Sequence, residues 1–113
     1  MHELSIAMGI VKIAEEACEK AAAKQVDVIE LQIGELAGIE SSSLEFAWPL
    51  AVRDTKLEHA EKTIEWVEGK AKCLECGHEY DVHTLYDGCP ACDSYFKDVT
   101  AGKELKVKSL IVS

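Results

Sequence analysis

Four of the five cysteines in this 113-residue chain form two CxxC pairs, and their spacing limits what the chain can fold into. Cys73 and Cys76 make the first pair, and Cys89 and Cys92 make the second pair after twelve intervening residues. Two pairs at such a spacing are typical of two short knuckles that hold one tetrahedral zinc ion through four thiolates. A segment too short to bury a core of its own gains folding free energy from such an ion. The pattern therefore predicts a small zinc-binding unit whose metal is structural.

Two alternatives remain open for this cysteine motif. Pro90 lies inside the second pair, and CPxC knuckles also occur in rubredoxins, so a mononuclear iron centre in an electron carrier is one alternative. The other involves His78, which follows Cys76 by two residues and could replace a sulfur on acidification, because imidazole titrates near about 6.5. An exposed turn histidine is the simpler interpretation of His78. His59 and His83 have no ligand-like neighbours at metal-site spacing, and we expect both to be solvated.

The charge balance argues against nucleic acid as a partner. The chain has 21 acidic and 12 basic residues, which give a formal net charge of −9. A polyphosphate ligand would be repelled by this field. We find neither a run of about 18 to 20 apolar residues nor a signal peptide, so we expect a cytoplasmic protein without membrane attachment. In that reducing compartment, paired cysteines indicate a metal site rather than a disulfide.

The apolar periodicity predicts two helices and three strands outside the cysteine motif. The first helix is expected over 5–24, with Ser5 as its N-cap and one buried face formed by Ile6, Ile10, Ile13 and Ala17. Alternation predicts strands over 26–33, 63–67 and 105–112. A second helix is expected to start with a capping box of Ser42 and Glu45 and to kink or stop at Pro49, which has no backbone N–H.

This order of elements predicts an α+β fold, in which a small mixed sheet with two helices carries an inserted zinc-ribbon-like domain with a four-cysteine site. The expected boundaries are 1–66 for the α/β domain, 67–102 for the zinc domain, and 103–113 for a C-terminal strand that returns to the α/β domain. We expect Cys18 to be a small buried side chain of the first helix, and Trp48 and Trp66 to lie in the core.

A second potential metal site lies at the start of the chain. The Met1 amine, the next amide nitrogen and the His2 imidazole can wrap a metal ion in fused chelate rings, and such nitrogen-rich sets suit nickel(II) or copper(II). No glycine-rich phosphate loop, GxSxG elbow or HExxH motif is present in the sequence. These motifs mark common enzyme classes, so the sequence favours a protein that is not an enzyme.

The combination of these motifs resembles the HypA/HybF family of nickel metallochaperones over essentially the whole chain. The segments that carry the resemblance are Met1 to Ser5, Ile33 to Leu36, Gly38 to Glu40, the Leu44, Phe46 and Ala47 segment, and the two CxxC pairs. The resemblance implies a nickel-binding α/β domain and a separate zinc domain. It also implies a role in maturation of the large subunit of [NiFe]-hydrogenase, together with the GTPase HypB, and in some organisms a role for urease.

The family's site residues transfer to this chain by position. The resemblance implies nickel(II) ligation by His2 through its imidazole and backbone nitrogen, by the Glu3 backbone nitrogen, and by the acidic residue Glu40. It implies structural zinc(II) on Cys73, Cys76, Cys89 and Cys92. The expected function is a non-enzymatic nickel carrier, and the alternative is a zinc-ribbon protein-interaction module without nickel transport. Both a monomer and a weak homodimer are compatible with the sequence.

Overall fold

The computed structural model describes residues 2–113, without the side chain of His2. The described chain forms two compact units. One, here called the N-terminal unit, comprises residues 2–31, 39–65 and 106–113. The other, here called the cysteine unit, comprises residues 32–38 and 66–105 and contains both CxxC pairs.

The first helix, α1, spans His2–Lys20, so the helix starts and ends earlier than predicted and Ser5 is not its N-cap. Its buried face also differs from the predicted one: Ile13 is 59% exposed and Ala17 is exposed. The buried positions follow the spacing of a continuous helical stripe and are Ala7, Ile10, Val11, Ala14 and Cys18. The small side chains on this stripe allow close packing against the second helix, which explains why it is buried in preference to the bulkier Ile13 face. The prediction that Cys18 is buried is confirmed.

The second helix, α2, spans Ser41–Val52, with Glu40 as its N-cap residue. The predicted capping box is wrong, because Ser42 lies inside the helix and its hydroxyl donates a hydrogen bond to the Glu40 carboxylate at 2.7 Å. The helix also continues past Pro49 to Val52. Only the last turn follows the proline, so a single backbone hydrogen bond is lost to it.

A three-stranded sheet accompanies these helices. Its strands are β1 (Val26–Gly34), β2 (Glu61–Val67) and β6 (Leu105–Val112), in the order β2-β1-β6. Backbone hydrogen bonds join Ser113 to Gln25 and Gly34 to Glu104, so β1 and β6 are antiparallel. The Val26 N–H bonds to the carbonyl of Lys56, which precedes β2, and the Glu35 N–H bonds to the carbonyl of Val67 at the end of β2, so β1 and β2 run parallel. The sheet is mixed, as predicted.

The two tryptophans differ in burial. Trp48 of α2 is 7% exposed, and the Lys62 ammonium lies 5.4 Å from the centroid of its ring system. Trp66 is 43% exposed, so the prediction that it lies in the core is wrong. It is the penultimate residue of β2, an edge strand, and an edge strand has a neighbouring strand on one side only.

The cysteine unit contains a second sheet of three short strands. These are β3 (Lys70–Cys73), β4 (Glu79–Asp81) and β5 (Lys97–Ala101), in the order β4-β3-β5, with both neighbours antiparallel to β3. The core of the unit is small and includes two of the cysteines; its members are Ala71, Cys73, Tyr80, Val82 and Cys89, with Leu36 packed against them. The predicted α+β fold, with two helices, small sheets and a four-cysteine unit, is confirmed. Neither helix in the described residues is long and apolar enough to cross a membrane.

Three glycines allow the backbone segments that enter and leave the cysteine unit to approach closely. A Cβ on Gly34 would lie 2.0 Å from the Gly102 carbonyl oxygen, and one on Gly69 would lie 2.1 Å from the Val82 carbonyl oxygen. Gly102 has a positive φ of 108°, and a Cβ there would lie 2.6 Å from the Gly69 Cα. These contacts are with backbone atoms that cannot rotate away, so no other residue fits at these positions without backbone movement.

We predict that Gly34→Ala destabilises the protein by about 3 kcal/mol or more, because the new methyl group overlaps the Gly102 backbone. Gly9→Ala is the matched control: it adds the same methyl group in the middle of α1, where nothing lies within 4 Å. This control should be stabilising by up to about 1 kcal/mol, since alanine is the better helix former. Urea unfolding of both variants measures the difference, and similar stabilities would contradict the close approach.

Candidate metal centre

Two knuckles with the same hydrogen-bond pattern carry the four cysteines. In the first, the Gly77 N–H donates to the Cys73 carbonyl at 3.0 Å and the Cys73 N–H donates to the His78 carbonyl at 2.8 Å. In the second, the Asp93 N–H donates to the Cys89 carbonyl at 2.8 Å, and the Cys89 N–H donates to the Ser94 carbonyl at 2.8 Å. The turn needs a residue with positive φ after its second cysteine, and Gly77 (77°) and Asp93 (63°) occupy this position.

The knuckles bring the four thiol groups into one cluster. All four sulfurs lie within 4.8 Å of one another. The Sγ atoms of Cys73 and Cys92 are 3.6 Å apart, and so are those of Cys76 and Cys89. A tetrahedral zinc ion with Zn–S bonds of about 2.3 Å requires sulfurs about 3.8 Å apart, so the donor type and the spacing of the cluster both fit zinc. Among the side chains of residues 3–113, this is the one group of three or more Cys, His, Asp or Glu residues whose ligand atoms lie close enough together to hold a metal ion.

Each knuckle contributes one buried and one exposed cysteine. Cys73 and Cys89 are buried in the core of the unit, whereas Cys76 and Cys92 are exposed. A bound ion would therefore connect the small core to the surface turns, and this is how a metal stabilises a unit with few apolar side chains. No histidine nitrogen joins the cluster among the described residues. The exchange of a sulfur for His78 on acidification stays a prediction.

The four thiols of the cluster differ in acidity. The backbone N–H of Cys76, which donates to the Cys73 sulfur at 3.5 Å, and then that of Glu75 lower the pKa of Cys73 to about 6. For Cys92, a hydrogen bond from the Ser94 backbone acts to lower the pKa, but the neighbouring Cys73 thiol and burial raise it to about 12. The four thiols therefore ionise in separate steps, because the negative charge of each thiolate disfavours ionisation of the next thiol. A divalent cation is needed to hold all four sulfurs as thiolates at neutral pH.

Aromatic packing surrounds the buried half of the cluster. Tyr80 is 8% exposed and packs in the same core as Cys73 and Cys89. Burial and then the charges of the cysteine sulfurs raise the pKa of its hydroxyl, which stays protonated. The His78 ring lies parallel to the Tyr80 ring with 6.2 Å between centroids, on the exposed side. His78 is thus an exposed turn residue, as the simpler interpretation had it.

An ion pair of the cysteine unit joins two residues that no sequence pattern connects. The side chain of His83 is 70% exposed, as expected, but its Nδ1 lies 3.1 Å from a carboxylate oxygen of Glu35. The same carboxylate accepts a hydrogen bond from the Gly69 N–H at 3.1 Å. The pair joins residues that are 48 positions apart, so no local pattern in the sequence could have indicated it. It attaches the loop after β4 to the segment after β1.

The residues predicted to bind nickel lie in the N-terminal unit. Met1 and the side chain of His2 lie outside the described residues, whereas the backbone of His2 is the first residue of α1. Glu3 is half-buried in the first turn of α1. Glu40 is exposed, directly precedes α2, and accepts the hydrogen bond from Ser42. These residues are thus at or next to helix N-termini, where backbone N–H groups have no partner within the helix.

Comparison of the chain with known protein families identifies the family to which it belongs. Residues 1–112 match the family model described as hydrogenase/urease nickel incorporation, metallochaperone, HypA. The chain belongs to the HypA family. The resemblance recognised in the sequence is thereby confirmed, and the family is one of nickel metallochaperones for hydrogenase maturation.

Curated HypA proteins and solved HypA structures are similar over nearly the full chain. The hydrogenase maturation factor HypA of Parabacteroides distasonis is 41% identical over 112 residues, which cover 99% of this chain and 97% of that protein. The protein of the same name from Geobacter metallireducens is 42% identical over 113 residues, with 99% of each covered. The solution structure of the Ni metallochaperone HypA from Helicobacter pylori has the same fold, with a TM-score of 0.71 at 22% identity over 97% of this chain and 96% of that one.

The two knuckles provide a test of their backbone geometry. Gly77→Ala should lower the stability of the cysteine unit by about 1 kcal/mol, because alanine is strained at a φ of 77° although its methyl group has space. Asp93→Gly should be nearly neutral, since relief of the same strain offsets the greater freedom of glycine in the unfolded chain. Resistance of the metal-loaded variants to unfolding in a series of chelator concentrations measures both effects, and equal losses would contradict the equivalence of the two turns.

The Glu35–His83 pair should stabilise its loop in a defined pH window. Its hydrogen bond to Glu35 and the Glu35 charge raise the pKa of His83 above 6.5, so the His83 contribution is complete below 6.5 and is lost as the pH rises through the raised value. The Gly69 N–H and then His83 lower the pKa of Glu35 below 4.5, so the Glu35 contribution is complete above 4.5 and is lost as the pH falls through the lowered value. The pair is therefore strongest between 4.5 and 6.5.

We predict that protection of the Gly69 amide from hydrogen exchange, corrected for intrinsic rates, decreases as the pH rises from below 6.5 to about 8. His83→Gln should remove this step, and added salt should reduce it because both partners are exposed. His59→Gln is the matched control, since the His59 side chain is 89% exposed and should not affect Gly69. An unchanged step in His83→Gln would show that the pair does not hold the loop.

Proposed function

We propose that this protein is a non-enzymatic nickel carrier of the cytoplasm, which binds nickel(II) at the start of α1 and delivers it during maturation of [NiFe]-hydrogenase. The single observation that supports this role most directly is the match of residues 1–112 to a family of nickel-incorporation metallochaperones. The proposed nickel ligands are the imidazole and backbone nitrogen of His2, the backbone nitrogen of Glu3, and the carboxylate of Glu40.

The position of the first two ligands at the start of a helix supports this assignment. The backbone amides of His2 and Glu3 belong to the first turn of α1, and amides of a first turn donate no intrahelical hydrogen bond. Deprotonation of these nitrogens for nickel binding therefore breaks no bond of the helix. Two deprotonated amides also supply two negative charges, which balance the charge of nickel(II).

Proton competition gives this site a mechanism of release. Nickel is held by a neutral imidazole and by deprotonated amide nitrogens, and protons compete for both kinds of ligand. The positive end of the α1 dipole disfavours a bound cation by about 0.3 to 1 kcal/mol, which keeps the affinity moderate. Release then follows when a partner supplies competing ligands or when the pH falls.

For the cysteine cluster, we propose a structural zinc(II) held by Cys73, Cys76, Cys89 and Cys92. The sulfur separations of 3.6 Å support this metal, and so does the division of the ligands between core and surface. Bound zinc would supply charge neutralisation and a tetrahedral cross-link. The four cysteines position it, and no catalytic position is left open by four protein ligands. A colourless protein with one zinc per chain is expected, whereas a coloured iron protein would favour the rubredoxin-like alternative.

The proposed partners follow from the family. A carrier that serves hydrogenase maturation has to meet a donor and an acceptor of nickel, and we propose the GTPase HypB and the hydrogenase large subunit for these roles. Their recognition is separate from the affinity of the nickel site and can be measured by itself.

Nickel titration of substituted proteins tests the proposal. His2→Ala should abolish stoichiometric nickel binding, because it removes the imidazole that closes the chelate, and it should leave the zinc content unchanged. Glu40→Gln should weaken nickel binding by roughly 10-fold or more if the carboxylate supports the metal. Calorimetry with untagged protein, together with the visible spectrum of bound nickel, measures both changes.

Two further variants make the nickel test specific. His59→Ala removes an exposed histidine of the same unit that lies outside the proposed site, and it should bind nickel like the unsubstituted protein. Cys73→Ser should loosen the cysteine unit and release zinc without removing a nickel ligand. Unchanged nickel affinity in His2→Ala, or an equal loss in His59→Ala, would exclude the proposed site. One zinc and no nickel in the unsubstituted protein would favour the zinc-ribbon interaction module.

A further inference from the structure

The cysteine unit has several large apolar side chains that are exposed. Five of them lie in the segments that form or flank the two knuckles and are Leu74 (66% exposed), Leu85 (51%), Tyr86 (86%), Tyr95 (69%) and Phe96 (67%). Single exposed apolar residues are common on protein surfaces, but a contiguous group of them marks a surface that binds something. We call these five residues the knuckle patch.

Hydrogen bonds connect the three chain segments that carry the knuckle patch. The Leu74 N–H donates to the Phe96 carbonyl at 3.0 Å. The Lys97 ammonium donates to the carbonyls of Leu85 at 3.0 Å and of Tyr95 at 3.2 Å, and so joins the segment of Leu85 and Tyr86 to that of Tyr95 and Phe96. Aromatic residues with one polar end, such as the two tyrosines, are typical anchors of protein interfaces.

The charges around the patch indicate the chemistry of the partner that it binds. Four acidic residues lie within two positions of it in the sequence, Glu75, Asp87, Asp93 and Asp98, against the two lysines Lys72 and Lys97. The same imbalance holds for the whole segment 66–105, which has eight acidic residues and four lysines. An apolar surface with a negative rim is complementary to apolar anchors flanked by basic residues.

The same charges argue against the other occupants. Nucleic acid and anionic membrane surfaces are repelled by a negative rim. A second copy of the chain would bring an identical negative rim against the first, since the contact of a symmetric dimer pairs the same patch with itself. Like charges that face each other across an interface disfavour such a pair.

We propose that the knuckle patch is a docking surface for a protein segment that carries Leu or aromatic anchors with flanking Arg or Lys residues. Its anchors include the exposed rings of Tyr86 and Phe96, and Glu75 and Asp98 attract the basic flanks. The proposal is independent of the nickel site, because every residue of the patch belongs to the cysteine unit. It assigns partner recognition to this unit, which otherwise has only a structural role.

A synthetic helical peptide with Leu on one face and Arg on both flanks is the probe, titrated by fluorescence anisotropy into zinc-loaded protein at physiological ionic strength. Tyr86→Ser/Phe96→Ser should weaken binding by roughly 10-fold or more, as expected for loss of interface anchors. Glu75→Gln/Asp98→Asn should also weaken binding, and this loss should shrink at high salt. Zinc stoichiometry and amide NMR spectra show whether each variant is folded.

Matched controls exclude nonspecific attraction. Phe46→Ser removes a side chain that is 73% exposed in the N-terminal unit, and Glu16→Gln/Glu61→Gln removes two exposed acidic residues of that unit. Both controls should bind the peptide like the unsubstituted protein. A peptide with Ser in place of Leu, and one with Glu in place of Arg, should bind weakly.

The proposal is overturned if Tyr86→Ser/Phe96→Ser binds the Leu/Arg peptide unchanged, if Phe46→Ser causes an equal loss, or if the Ser-containing peptide binds equally well. Sedimentation of the protein alone is the remaining test. A dimer that Tyr86→Ser/Phe96→Ser dissociates would assign the patch to a second copy of the chain and would also overturn the proposal.

Discussion

The close approach of backbone at Gly34, Gly69 and Gly102 is the constraint on which the rest of the cysteine unit depends. The long segment of this unit begins at Trp66, near the end of β2, and ends at Leu105, the first residue of β6, so its two ends pass each other next to the end of β1. Contacts as short as 2.0 Å for an added Cβ leave room for hydrogen only. Because side chains are absent there, backbone hydrogen bonds form instead, including that from Leu36 to the Gly102 carbonyl at 2.6 Å. Main-chain atoms thereby join these segments within the cysteine unit.

Beyond this crossing, the cysteine unit relies on its metal ligands more than on apolar burial. Its core has five buried residues, and two of them are cysteines. The thiols cannot all ionise without a cation, as the pKa values of about 6 for Cys73 and about 12 for Cys92 indicate. With the proposed zinc bound, metal binding and completion of the fold would be one process in this unit. The large apolar side chains that a bigger core would bury remain at the surface, where they form the knuckle patch.

The sequence predicted features that depend on local spacing and missed those that depend on distant neighbours. The CxxC pairs and the alternation in β1 and β6 are local, and both identified their elements. The predicted buried face of α1 was wrong because contact with the neighbouring helix determines which of several overlapping apolar stripes is buried. The stripe that includes Ala14 is buried, and Ile13 is exposed. The Glu35–His83 pair was missed because only the folded chain brings the two residues together. The adjacent apolar residues Leu85–Tyr86 and Tyr95–Phe96 could have indicated the patch from the sequence, because a unit of this size cannot bury all four side chains.

The two units differ in what their metals require of the backbone. At the knuckles, amide N–H groups donate toward sulfur or carbonyl oxygen and must keep their protons, as the bond from Cys76 to the Cys73 sulfur shows. At the start of α1, the proposed nickel ligands are amides that have no intrahelical acceptor and can lose theirs. A stable resident metal and a transferable cargo therefore call for opposite amide chemistry. With the two proposed sites in different units, protons would release the cargo without dismantling the fold.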